Sequence, residues 1–166
     1  MSELDRLIEV WDAEAAKTAK LLACLPVDQY DFRPDAGGRS LGELAWHLAE
    51  GDAYISYFIE QNGAMTPATR PPGIERPRKV EELASGFERV HRESVERVRK
   101  LKPEDLDRKL KFFTGEELTI SALLWNFMLL HGVHHRGQLS LMCRLAGGVP
   151  NAVFGPTREQ MPPKAA

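Results

Sequence analysis

Apolar side chains recur at i, i+3, i+4 and i+7 through four long stretches of this chain, and prolines or glycines interrupt the pattern between them. Such a period lays an apolar stripe along one side of a helix, and the stripe must be buried against other helices. The first stretch carries Leu4, Leu7, Ile8, Trp11, Ala15, Thr18, Leu22 and Leu25; it opens on Ser2 with Asp5 three residues later and stops before Pro26. The second opens on Ser40 with Glu43 and runs to about Gln61, with Leu44, His47, Gly51, Tyr54, Ile55 and Phe58 on its inner side. Both openings have the spacing of a capping box. The third runs from near Lys79 to Leu101, with Val80, Leu83, Ala84, Phe87, Val90, Val98 and Leu101 on one face, and Pro103 closes it. The fourth covers Ile120 to Leu145 and stops at Gly147-Gly148-Val149-Pro150. Four amphipathic helices assemble most economically as an all-α four-helix bundle.

Little is left over for a sheet. Lys109–Phe113 and Leu118–Ile120, around Thr114-Gly115, have the pattern of a short hairpin, which two strands alone would hold only marginally. Residues 62–77 hold four of the eleven prolines and form no regular element, so they read as a functional loop or a long crossover. The proline-rich tail after residue 150 excludes a fifth long helix. At 166 residues the chain is expected to be one domain, residues 1–166, large enough to bury a core without disulfides.

Composition removes several classes of function. The net charge of −2 lacks the basic excess of a nucleic-acid binder, so no nucleic-acid partner is expected. No apolar run approaches the roughly 18 residues of a membrane span, so no membrane partner is expected. The start, MSELDRLIEV, reads as lacking a signal peptide. Cys24 and Cys143 stand far apart with no CxxC, which fits a reducing cytoplasm. GxSxG, P-loop, GxGxxG and HExxH patterns are absent.

The unusual feature is histidine. Of five, three crowd into HGVHH at 131–135. At about 100° per residue, His131 lies near the centre of the fourth apolar stripe, with His135 about 40° to one side and His134 about 60° to the other. Two imidazoles at i, i+4 can aim at one point, and His47 on the inner side of the second helix supplies a third. A single inward histidine is more often a hydrogen-bonded core residue; three on two facing stripes fit an open metal site with remaining positions for water or substrate. Neutral imidazole suits Zn, Ni, Fe or Cu. His134 competes with His135 for the third place. His91 follows Glu88 as Glu-x-x-His, a pattern that di-iron bundles need twice and that occurs here once. It reads as a buried structural histidine, with Glu88 turned to solvent. Gln138, about 20° from His131, and Glu50, one turn after His47, are the nearest polar groups to orient the imidazoles, and Glu50 is also the available general base. Gly137 is expected to permit close helix packing, and Arg136 to pair at the surface or at a dimer contact.

These residues resemble a known family. LPVDQYDFRPDAGGRSLGELAWHLAEGDAYI is similar to the first half of DinB-like (DinB/YfiT) proteins, and HGVHHRGQLSLMCRLAGGVPNAVFGPT to the second, in the same order and over nearly the whole chain. Many relatives have tyrosine where FGPT places Phe154. The resemblance implies an up-down-down-up bundle with a long crossover between helices 2 and 3. It also implies a divalent metal, commonly zinc or nickel, on His47, His131 and His135, favouring His135 over His134, and a homodimer. Characterised members include thiol S-transferases, so it implies a transferase acting on a small-molecule substrate through a metal-bound low-molecular-weight thiol. The alternatives are a metal-binding stress-response protein without turnover and a metal-dependent hydrolase.

Overall fold

The computed structural model describes residues 1–162. Helix α1 spans Glu3–Leu22 and helix α2 Leu41–Glu60, and both open on complete capping boxes. Ser2 Oγ accepts from the Asp5 amide while Asp5 accepts from the Ser2 amide. Ser40 and Glu43 repeat the exchange. Helix α3 spans Leu83–Val98, shorter than the periodicity suggests, because Val80–Glu82 form a 3-10 turn without a side-chain cap and the chain unwinds ahead of Pro103. Helix α4 is continuous over three stretches: α-helical Ile120–Ala122, π-helical Leu123–Leu130 and α-helical His131–Leu145. The hairpin forms. Strands β1, Lys109–Lys111, and β2, Glu117–Thr119, pair antiparallel with Leu110 opposite Leu118. It survives because Leu110 and Phe112 are buried in the bundle core.

Named contacts fix the directions. Trp46 packs on Gly86, Asp52 bonds His91, and Glu60 pairs with Arg97 and Lys100, so α2 and α3 run parallel. Glu3 bonds Ser121 and Trp125 while Glu14 bonds Arg136, so α1 and α4 run parallel too. His47 faces His131 and His135, and the other end of α2 lies toward Phe112 and Phe127, which makes α2 and α4 antiparallel. The bundle is therefore up-down-down-up. A parallel α2–α3 pair obliges the connection to climb back along a 20-residue helix, about 30 Å. Residues 61–79 make that crossover. It is pinned by three hydrogen bonds to its carbonyls: Trp46 Nε1 donates to Ile74, Tyr30 to Pro77, and Arg89 to Gly73. Its sharp start uses Asn62 at φ 51° and Gly63 at φ 81°, with the Gly63 amide donating to Phe58. That left-handed geometry is one glycine adopts without steric cost.

The core is in two parts. One holds Leu21, Leu41, Trp46, Leu83, Val90 and Leu139, and the other Leu7, Trp11, Phe58, Val95, Leu124 and Met128. Between them every helix presents an ionisable side chain: Asp12 and Glu14 on α1, Asp52 on α2, His91 on α3 and Arg136 on α4. His91 Nδ1 meets Asp52 at 2.9 Å and its Nε2 meets Asp12 at 2.9 Å, while Trp11 Nε1 donates to Asp52 at 3.1 Å. Arg136 corrects an expectation. It is 3% exposed, donating to the Glu14 carbonyl and carboxylate, because the helix turns its long side chain toward α1 and Glu14 satisfies it there. Gly137 corrects another: it is exposed, and a Cβ there would meet nothing within 4 Å. The tail carries one 3-10 turn, Arg158–Gln160, and Phe154 lies against Lys17 and Arg136. No described helix is long and apolar enough to cross a membrane.

Candidate metal centre

His47 projects from α2 and His131 and His135 from successive turns of α4, half-buried where the two helices face each other. One nitrogen from each lies within 4.8 Å of the other two. His47 Nε2 and His131 Nε2 are 3.2 Å apart. Two imidazole nitrogens each about 2.0–2.1 Å from one tetrahedral ion stand roughly 3.3 Å apart, so this separation fits a shared cation.

The tautomers support the same fit. His47 Nδ1 lies 3.2 Å from Glu50 Oε2, and His135 Nδ1 lies 2.7 Å from Gln138 Oε1. Both partners are acceptors, which place the proton on Nδ1 and leave Nε2 as a bare lone pair. Gln138 then donates its amide to His134 Nε2 at 3.1 Å. Two of the three imidazoles, those of His131 and His135, are held toward the neutral form. Burial lowers the pKa of His131, and the proximity of His47, His134 and the Arg39 guanidinium acts in the same direction. Burial likewise lowers His135, against the Gln138 hydrogen bond and with help from its histidine neighbours, to about 4. Three imidazole nitrogen donors without a carboxylate or thiolate suit a divalent transition metal better than magnesium or calcium.

His47 and His131 of the triad open on a cleft of about 340 Å³ also lined by Arg39, Glu50, Gly51, Tyr54 and the aromatic rings Phe112, Phe113 and Phe127. Gly51 has open space where a side chain would stand. Glu50 bonds the outer nitrogen of His47, and Gln138 that of His135 rather than His131, to which its helical phase is nearest. His134 is exposed and outside the triad, and His91 is buried in the polar layer. Glu88 is exposed and makes no second Glu-x-x-His arrangement.

Other residues escaped the sequence reading. Arg39 sits in an irregular loop whose positions carry no periodic signal. Phe112 and Phe113 reach the cleft only because the hairpin folds against α2. Asp52 had a signal: it falls on the stripe of Leu48, Ile55 and Ile59, where an acid requires a buried partner.

The profile of the DinB superfamily matches residues 11–139, from α1 through both histidine-bearing turns of α4. YrdA of Bacillus subtilis strain 168, a protein described as uncharacterized, is 28% identical over 160 residues, covering 95% of this chain and 91% of its own. The crystal structure of a DinB-like protein from Bacillus cereus ATCC 10987 superposes with a TM-score of 0.72 at 25% identity, over 89% of this chain and 95% of that one. A second crystal structure, the DinB-like protein YjoA of Bacillus subtilis, shares the fold with a TM-score of 0.73 at 21% identity, over 90% and 97% of the two chains. Matched from its first helix to its last and carrying its histidines on facing helices, the chain belongs to the DinB superfamily.

Proposed function

We propose that the protein is a metal-dependent transferase that uses a low-molecular-weight thiol, with His47, His131 and His135 holding one divalent ion, zinc or nickel. The observation that carries this reading is the set of three imidazoles converging beside an open cleft, with Glu50 and Gln138 fixing the tautomers of two of them. An ion held by these three histidines would supply Lewis acidity, which would favour the thiolate form of a bound thiol. Arg39 has no carboxylate within ion-pair distance among the described residues, and its positive field acts in the same direction. Glu50 is the carboxylate lining this cleft, placed to accept the thiol proton. The same carboxylate supports a second reading, metal-dependent hydrolysis with water in place of the thiol.

Cys24 and Cys143 are free thiols, in keeping with a reducing cytoplasm. Leu141 and Leu145, near the end of α4, stand more than half exposed, which supports a homodimer through that helix.

Elemental analysis tests the site, with about one metal per chain expected, lost in His131→Ala and His135→Ala. Loaded protein is then offered glutathione, bacillithiol and mycothiol with electrophilic acceptors. Conjugation of one thiol is the expected result. Loaded protein that conjugates none overturns the transferase reading in favour of a hydrolase or a metal-binding stress protein without turnover.

A further inference from the structure

The cleft above the triad continues away from it. Tyr54, Ile55, Phe112 and Phe113 also line a second cleft of about 440 Å³, so the two form one trough along α2. Each part has the volume of a small-molecule site. One end is the triad. The other is framed by the first half of the crossover and the hairpin, and it bears Arg70 and Lys111.

The walls between these ends are apolar. Phe113 is 85% exposed, although Phe112 beside it is buried and shows that the hairpin could have turned an aromatic inward. The exposed ring is only 4.1 Å, centre to centre, from that of Phe112, and it stands at the rim shared by both clefts. At the far end neither Arg70 nor Lys111 has a carboxylate within ion-pair distance among the described residues. Arg70 is nevertheless held in place, since its Nη1 donates to the carbonyls of Pro67 and Thr69 at 2.9 and 3.0 Å. An apolar trough closed by two unpaired cations is complementary to an apolar molecule with an anionic end.

We propose that the trough binds an amphipathic carboxylic acid, its apolar body along Tyr54, Ile55, Phe112 and Phe113 and its carboxylate at Arg70 and Lys111, so that the opposite end of the molecule lies over the triad. The choice of which end reacts rests on the triad being the reaction centre; the binding of the acid does not.

Calorimetric titration of the purified protein with octanoate, 1-octanol and octylammonium tests this, with metal content measured on the same sample. Octanoate is expected to bind at least tenfold more tightly than 1-octanol, and octylammonium more weakly than either. In the double variant Arg70→Ala/Lys111→Ala, both positions exposed, the preference for octanoate should vanish while octanol affinity and the melting temperature stay unchanged. Phe113→Ala should weaken octanoate and octanol alike. Equal affinity for octanoate and octanol, a preference that survives in the double variant, or no binding of either would overturn the proposal. Metal-loaded protein that binds no octanoate removes the trough and leaves the proposed reaction standing. Octanoate binding to protein that takes up no metal removes the reaction and leaves the trough.

Discussion

At the scale of single residues, the triad depends on groups that do not belong to it. Glu50 and Gln138 each accept from the outer nitrogen of an imidazole, so that the inner nitrogen of each faces the other rings. Losing such a partner frees the tautomer and the ring. Glu50→Ala and Gln138→Ala should each lower metal affinity by about 10–100-fold, read by competition with a chromophoric chelator, while the melting temperature of the metal-free protein changes little. The histidines also set how stability varies with pH. Burial alone would lower the pKa of His91, but Asp52 of α2 and Asp12 of α1 face its two nitrogens and raise it above the ordinary 6.5. The other groups against it are the rings of Trp11 and Phe87, and Arg99 reaches Asp12 at 4.0 Å. A raised native pKa means that the folded chain keeps a proton the unfolded chain has released, so this contribution is complete below about pH 6.5 and lost as pH rises through the native value. His131 and His135 act oppositely: their lowered values cost stability as pH falls from 6.5 toward about 4. In chelator-treated protein the urea midpoint should therefore be highest near pH 6.5, and His91→Gln should flatten the alkaline limb alone. An alkaline limb unchanged in that variant would contradict the role assigned to His91.

At the scale of elements, the helices are joined by a polar layer where the two apolar clusters meet. Arg136 and Glu14 tie α4 to α1 there, and His91 ties α3 to both α1 and α2. Removing one member of a buried pair strands the other. Arg136→Ala should destabilise the fold by about 3–5 kcal/mol in urea titration, whereas Glu14→Ala/Arg136→Met should recover part of that loss. These elements also divide what was legible from what was not. Ser2 and Ser40 announced the starts of α1 and α2 because a capping box is local, complete within four residues. His47 and His131 were legible because each breaks an apolar stripe, whereas the choice of His135 over His134 rested on the family resemblance. Arg136 was misplaced because its partner lies 122 residues away, beyond any local pattern. The π-helical stretch Leu123–Leu130 was invisible, since LLWNFMLL contains neither Gly nor Pro; it alters the turn angle just ahead of His131, so phases counted back from that residue lose their meaning.

At the scale of the whole molecule, the order of the helices follows from their contacts, and the crossover is its consequence. Two parallel central helices force a long return strand of chain, and that return supplies Arg70 to the trough beside the triad. Further along α4 from the triad, Leu141 and Leu145 share an exposed stripe with His134, Gly137 and Gln138. If that stripe joins two copies, Leu141→Glu should convert a dimer to a monomer in analytical ultracentrifugation without loss of helicity. A wild-type monomer at tens of micromolar would end that part of the account.

Every reaction proposed for the cleft depends on three imidazoles on two helices holding one divalent ion. X-ray absorption at the edge of the bound metal tests it most directly. The account predicts three imidazole nitrogens at about 2.0–2.1 Å, with the multiple-scattering pattern of histidine rings and no sulfur shell in the absence of added thiol. That pattern should disappear when His47, His131 and His135 are replaced together by alanine. A first shell of carboxylate oxygens or cysteine sulfur, or an imidazole pattern that persists in the triple variant, would contradict it.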